Sequence, residues 1–262
     1  MKTALVTGGS SGIGRACASA LAAAGCRVYE ISRRDKPLDG VTHITADVTD
    51  EGALAAAADR IAAEAGRIDI LVCCAGFGIS GAVEFTETAD ARKQFDVNFF
   101  GMVNMNRAVI PFMRRAGGGR IVNISSVAAP IAIPFQAYYS AAKAAINSYT
   151  MALINEVRPY GISVCAVQPG DICTGFTGAR EKSYAGDEIY SGRISGSVAV
   201  MEHDEQNGMK PETAAHLIAT VASAKKVRPV YTIGFKYRLF CALVKILPAG
   251  LVSYIVGRIY GG

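Results

Sequence analysis

The sequence predicts an α/β fold: a doubly wound parallel sheet of about seven strands, covered by helices on both faces and built as a single domain. Three observations predict it. Short apolar runs alternate along the chain with alanine-rich stretches of helical length, the order expected when crossover helices join parallel strands. The first apolar run passes directly into the glycine-rich segment TGGSSGIG, which opens a helix. The 262 residues are 51% hydrophobic and 19% charged, an ordinary globular composition, with no repeat or low-complexity linker to divide them.

Taken in order, the strands are expected over 3–7, 27–32, 42–46, 70–74, 120–125, 163–168 and 229–232. The helices fall between them, over 12–24, 51–65, 89–115 with a break near Asn98, 137–158 and 211–224. Gly66, the glycines at 117–119 and Gly161 punctuate helix ends. Residues 175–208 are polar and glycine-rich and read as a mobile loop. Its place after the carboxyl end of a strand, where open sheets bind ligands, suits a substrate lid. The chain thus divides into a cofactor-binding and catalytic core (1–174), a lid (175–210) and C-terminal helices with the last strand (211–262).

Composition narrows the function. The N-terminus runs from Lys2 straight into a strand, with no apolar leader, which suits a cytoplasmic protein. Seven scattered cysteines without a C-x-x-C pair indicate neither a disulfide framework nor a zinc site, and three widely separated histidines suggest no metal cluster. Cys73 and Cys74 are adjacent in an apolar run and are expected to face opposite sides of the sheet. The net charge of +5 is confined to the C-terminal fifth, which has no acidic residue after Glu212 but carries Lys225, Lys226, Arg228, Lys236, Arg238, Lys245 and Arg258. These cations are interleaved with Leu239, Phe240, Leu243, Val244, Ile246 and Leu247, a pattern that fits a lipid or partner surface rather than nucleic acid. Pro248 and Gly250 break this tail into two short amphipathic pieces, with Arg238 and Lys245 on one helix face. Neither piece spans a bilayer, which leaves a dimer contact, a cap on the substrate pocket or peripheral membrane contact.

TGGSSGIG has the context that a phosphate-binding loop requires. Gly8 permits the turn, Gly12 the approach of backbone to a pyrophosphate, and Gly14 close packing of helix on strand. Ser10, Ser11 and Ile13 complete the loop, whose helix N-terminus offers free N–H groups to phosphate. A dinucleotide without a 2'-phosphate is held by an acidic residue at the end of the second strand. Here Ser32, Arg33 and Arg34 stand at that point, which predicts NADP(H). Asp47 and Val48 are placed to border the adenine.

In YYSAAK, Tyr139 and Lys143 are one helical turn apart and share a face, where an ammonium can favour the phenolate. Tyr138 is about 100° round the helix and packs instead. Alone, the pair could be an ordinary helix surface pair, Ser126 a turn serine and Asn98 a helix kink. Their joint order is different in kind. TGGSSGIG, Asp47-Val48, CCAG at 73–76, Asn98, NISS ending at Ser126, YYSAAK and PGDICT at 169–174 together resemble the short-chain dehydrogenase/reductase family over residues 1 to about 175.

The resemblance implies a Rossmann-type domain with a nicotinamide cofactor across the strand ends, Tyr139 as acid or base, and Ser126 as donor to the substrate oxygen. It further implies that Lys143 lowers the tyrosine pKa and binds the nicotinamide ribose, and that Asn98 positions a water. Ala75, Gly76, Pro169, Gly170, Ile172 and Thr174 complete the implied cofactor contacts. One departure is that Cys73 and Cys74 replace two asparagines common in the family, which puts the local rigidity of the loop in question and suggests sensitivity to oxidation.

The apolar segment VAAPIAIPFQ after Ser126, together with Phe176, predicts a greasy pocket. A lipophilic ketone or alcohol follows, and the general layout resembles the hydroxysteroid and retinoid branch. A 3-oxoacyl thioester reductase shares the same active site. A non-catalytic cofactor-binding sensor or a sugar-nucleotide epimerase fits less well, the first because both Tyr139 and Lys143 are kept and the second because of the glycine spacing. Alanines 141, 142, 144 and 145 permit close helix packing in a homodimer or homotetramer.

Overall fold

The computed structural model describes residues 1–261. The chain runs β1 (Thr3–Thr7), α1 (Gly12–Ala23), β2 (Arg27–Ser32), β3 (Val41–Thr45), α2 (Glu51–Ala65), β4 (Ile70–Cys73), β5 (Ile79–Ser80), α3 (Thr88–Phe95) and α4 (Gly101–Arg115). It continues through β6 (Gly119–Ile124), α5 (Ala137–Val157), β7 (Ile162–Gln168), α6 (Phe176–Ala179), β8 (Glu181–Lys182), α7 (Arg193–Gln206), α8 (Pro211–Ser223), β9 (Val230–Thr232), α9 (Phe235–Leu243) and α10 (Ala249–Tyr260). Seven strands form one parallel sheet in the order β3-β2-β1-β4-β6-β7-β9, and β5 pairs with β8 in a separate two-stranded ladder.

Alternation along each central strand sends neighbouring side chains to opposite faces. Leu5, Leu71 and Cys73 point to a core shared with Leu54 and Ile61 of α2, Met105 and Val109 of α4, and Ile146 and Leu153 of α5. Ala4, Val6, Ile70 and Val72 point the other way, to Cys17 and Leu21 of α1 and Ile218 and Ala222 of α8. Cys74 packs on this second core, so the two adjacent thiols do face opposite sides.

β1 pairs on one side with β2 and on the other with β4, so the chain reverses its direction of winding between them. The carboxyl ends of β1 and β4 therefore diverge into a crevice, the place where open α/β sheets bind ligands.

The break expected near Asn98 is a single π turn, Asp96–Phe100, between α3 and α4. Inserted π turns reposition side chains without ending a helix. The extended loop expected over 175–208 is instead largely regular, containing α6, β8 and α7. Ile194, Val198 and Met201 recur at helical spacing and are buried, and Asp187 caps the start of α7 by accepting from the backbone N–H groups of Ile194 and Ser195 at 2.9 and 3.0 Å. The tail does form two short helices, but Pro248 alone marks the break. Gly250 lies inside α10, and Lys245 lies beyond the end of α9, so it does not share that helix with Arg238.

Candidate active site

The crevice at the sheet's carboxyl edge is a cleft of about 720 Å³. Gly8, Ser10, Ser11, Gly12, Ile13 and Gly14 line one end with Ser32, Arg33, Arg34, Asp47 and Val48, while Ser126, Tyr139 and Lys143 line the other. Ala75, Gly76, Pro169, Gly170, Ile172 and Thr174 border it between. Of the residues singled out in the sequence, only Asn98 is set back from the wall. Its side-chain oxygen accepts from Phe77 N–H at 2.9 Å and its amide donates to the Phe77 carbonyl at 2.8 Å, so it clamps the turn that carries Gly76.

The glycine loop is shaped by steric exclusion. A Cβ on Gly14 would stand 2.3 Å from the Gly8 carbonyl oxygen, and one on Gly8, whose φ is +72°, 2.9 Å from the backbone of Ala75. Gly12 is different: its φ of +52° favours glycine, but a Cβ there would meet only Thr174, at an ordinary 3.5 Å. Thr7 holds the opposite rim, its hydroxyl accepting from the N–H groups of Cys74 and Ala75 at 3.1 and 3.2 Å. That rim is thus fixed without the two asparagines the chain lacks. Burial pushes the Cys73 thiol well up, and a hydrogen bond with Cys74 together with burial does the same for Cys17. Both are held as thiols, whereas Cys74, the other member of the adjacent pair, is half-buried and borders the cleft.

At the end of β2 the cleft is cationic, bordered by Arg33, Arg34 and Lys36. Arg33 is 74% exposed and stands 3.9 Å from Asp47. The acid of this strand, Glu30, is turned beneath the loop, where a Cβ on Gly9 would touch its carboxylate. It is hydrogen-bonded to His43 and, at 3.2 Å, to the Ser32 hydroxyl. No carboxylate of β2 therefore lines the cleft at this end. The donors, cations and glycine cradle present here fit a nicotinamide dinucleotide.

The chemical end is built by the start of α5 and the end of β6. Lys143 is buried, and its ammonium donates to the Ile124 carbonyl at 2.9 Å, 5.5 Å from the centre of the Tyr139 ring. The Ser125 hydroxyl anchors α5 by donating to the Lys143 carbonyl at 3.0 Å. Burial pushes Tyr139 up to about 12, against a smaller lowering by the Ser126 hydroxyl, and burial pulls Lys143 down to about 8. The influences that lower Tyr139 are the Ser126 hydroxyl and the Arg180 charge, not Lys143 as expected from the sequence, and burial outweighs both. Each group loses hydration when charged, and the ammonium is committed to a carbonyl rather than to the phenol oxygen.

Phe176, expected in the pocket wall, and residues that no motif announced complete this end. Phe176 of α6 packs against Tyr139 with ring centroids 5.8 Å apart, and Met201 and Glu205 of α7 and Tyr260 of α10 line the cleft. Glu205 pairs with the buried Arg180 and accepts from the Thr177 hydroxyl at 2.7 Å. Asp171 receives a hydrogen bond from Tyr237, and burial raises its pKa. Met201 belongs to the helical spacing of α7. Glu205 and Tyr260 gave no local signal, because tertiary packing alone brings them to the cleft.

A parallel sheet with a glycine loop at its switch point and a Ser-Tyr-Lys group beside it defines a nicotinamide-dependent oxidoreductase class. The short chain dehydrogenase family profile matches residues 2–185, and the chain belongs to the short-chain dehydrogenase/reductase family. Among individual relatives, it is 38% identical to the 3-ketodihydrosphingosine reductase of Bacteroides thetaiotaomicron, across 98% of this chain and 97% of that one. The crystal structure of a short-chain dehydrogenase from Streptomyces avermitilis superposes with a TM-score of 0.82 at 32% identity, covering 97% and 95% of the two chains. The structure of ElxO with NADP bound superposes with a TM-score of 0.76 at 26% identity, covering 91% and 99%.

Proposed function

We propose that the protein is an NADPH-dependent reductase, or the reverse dehydrogenase, of a lipophilic ketone, and that its substrate class is a long-chain 3-keto lipid such as 3-ketodihydrosphingosine. The observation that carries the reaction type is the meeting of Ser126, Tyr139 and Lys143 at one end of a cleft whose other end is the cationic glycine loop. A nicotinamide, when bound, would supply the hydride. Tyr139, with a pKa of about 12, holds its proton at neutral pH and gives it to the carbonyl oxygen as negative charge builds there. Ser126 donates to the same oxygen, a contact that strengthens as the charge develops. Lys143, fixed at the Ile124 carbonyl, offers its ammonium to the nicotinamide ribose and to the phenolate left behind. Asn98 keeps the Gly76 turn in place, which supports a positioning role.

The substrate class draws on the walls. Val127, Ile133, Phe176 and Met201 border the cleft with apolar surface, while Asp171, Glu205 and Tyr260 supply its polar groups. Apolar surface suits an acyl chain, and acidic groups suit an amine next to the ketone. The full-length similarity to a 3-ketodihydrosphingosine reductase supports the same class. In this reading, residues 175–210 are the substrate lid and α5 is the contact for a homodimer or homotetramer. A steroid-like ketone fits the apolar walls, and a 3-oxoacyl thioester fits the reacting groups.

The test follows NADPH absorbance with 3-ketodihydrosphingosine, a ketosteroid, a retinoid, a 3-oxoacyl thioester and a small ketone. Turnover is expected with the first at the highest kcat/KM. Preference for the thioester, with no activity on the amino ketone, would overturn the substrate class. Loss of no activity in Tyr139→Phe would overturn the mechanism.

A further inference from the structure

We propose that the outward face of α9 and α10 docks on an anionic lipid bilayer. These helices divide their surfaces sharply. Cys241 and Val256 are buried with Ile131 in a small cluster, against which Val127, Phe240, Val244, Val252 and Tyr260 pack, so the inner faces of both helices close on the segment that follows Ser126. The other faces look away from the body and have no partner among the described residues. On α9, Phe235, Leu239 and Leu243 recur every four residues, within about 80° of one another, and all are exposed. Ile246 in the connecting turn, and Leu251, Tyr254 and Ile259 of α10, extend the exposed apolar surface. Phe235 and Ile246 are 77% and 80% exposed, an unusual state for large apolar side chains in one contiguous segment.

Charge selects the occupant. Lys236, Arg238, Lys245 and Arg258 are exposed among these apolar residues, and no acidic residue follows Glu212. A second copy would set this cationic face against an identical one. An anionic bilayer offers both partners at once, acyl chains for the apolar side chains and headgroups for the cations. No described helix is long and apolar enough to cross a membrane, so the contact is peripheral. Tyr260, at the end of α10, also lines the catalytic cleft, which places the docking face beside the route by which a lipophilic molecule would enter.

The full chain is sedimented with vesicles of phosphatidylcholine alone and of an equal mixture of phosphatidylcholine and phosphatidylserine. It is expected to pellet with the mixed vesicles and to stay largely in solution with phosphatidylcholine. Arg238→Glu with Lys245→Glu, and separately Phe235→Ser with Ile246→Ser, are each expected to lower partitioning by about tenfold or more. Thermal midpoint and NADPH affinity should stay unchanged, because all four side chains are exposed and none borders the cleft. Absence of binding to mixed vesicles, or charge-reversed protein binding as well as the parent, would overturn the proposal. So would sedimentation velocity showing that Phe235→Ser with Ile246→Ser turns a dimer into monomers, since the face would then belong to a second copy. Because vesicle binding is read without turnover, its failure is separable from failure of the substrate assignment.

Discussion

The two ends of the cleft are built on different physical terms. At the adenosine end the protein presents mainly backbone, shaped by glycines that leave no room for a side chain, and cations that remain in water. At the chemical end it presents side chains removed from water, whose protonation is set by burial: a phenol raised to about 12 and an ammonium lowered to about 8. The first end recognises a shape and a charge pattern. The second keeps a charged ammonium where burial disfavours charge, and so it trades stability for chemistry.

That contrast predicts graded effects. The largest is expected from Tyr139→Phe, which keeps the ring contact with Phe176 but removes the proton donor. The drop in kcat should be about 10²–10⁴-fold, with NADPH affinity and thermal midpoint little changed. A fall in cofactor affinity of the same size would show that the two ends are not separable. Next, Gly14→Ala forces a Cβ to within 2.3 Å of the Gly8 carbonyl, and should cost about 1–3 kcal/mol of stability together with cofactor binding. Gly12→Ala should shift that balance, because its Cβ meets only ordinary contacts and the cost is backbone strain at a φ of +52°. Stability should fall by about 1 kcal/mol, less than for Gly14→Ala, while cofactor binding weakens, read by denaturant titration beside NADPH fluorescence.

The same division governs what could be read without coordinates. The glycine loop, the strand ends and the Tyr139 helix are local: each function lies within a few residues whose periodicity and spacing carry it, and all of those residues except Asn98 line the cleft. The wall around the substrate is assembled from α6, α7 and α10, which meet Tyr139 only by tertiary packing. Glu205 lies more than sixty residues beyond Tyr139, and nothing near it in sequence marks it as a cleft residue. The helix over Arg193–Gln206 was not legible in the sequence, because glycines at 192 and 196 in a polar stretch point to a loop and mask the spacing of Ile194, Val198 and Met201. The pKa order at the chemical end was not legible either, since a four-residue spacing reports proximity and says nothing of desolvation.

Lys143 tests the cost of that second end. A buried ammonium is destabilising, so Lys143→Met should lose turnover yet melt higher, by about 1–3 kcal/mol. The sign with pH is fixed by linkage. The folded pKa of about 8 lies below the value near 10.4 of an unfolded lysine, so between those values the unfolded chain binds more protons and parental stability rises with pH. The advantage of the variant should therefore be full below pH 8 and shrink as pH rises through that window. A variant that melts lower than the parent at pH 7 would mean that the bond to the Ile124 carbonyl outweighs desolvation.

The smallest effect belongs to the solvated end, and it is the sharpest on cofactor choice. Arg33 is mostly in water and only 3.9 Å from Asp47, so removing it should leave the fold untouched. In the proposed NADPH preference it would offer a guanidinium to the 2'-phosphate, a contact that NADH does not make. Arg33→Ala is expected to raise the Kd for NADPH by about five- to twentyfold, consistent with a charge-assisted contact of ~1–2 kcal/mol, while leaving NADH binding unchanged. Arg34 and Lys36 border the same end, so the loss should be partial and should deepen in the double variant with Arg34. Equal weakening of both nucleotides would assign Arg33 to the shape of the loop rather than to the phosphate, and no weakening of either would leave the cationic rim without a role in selection.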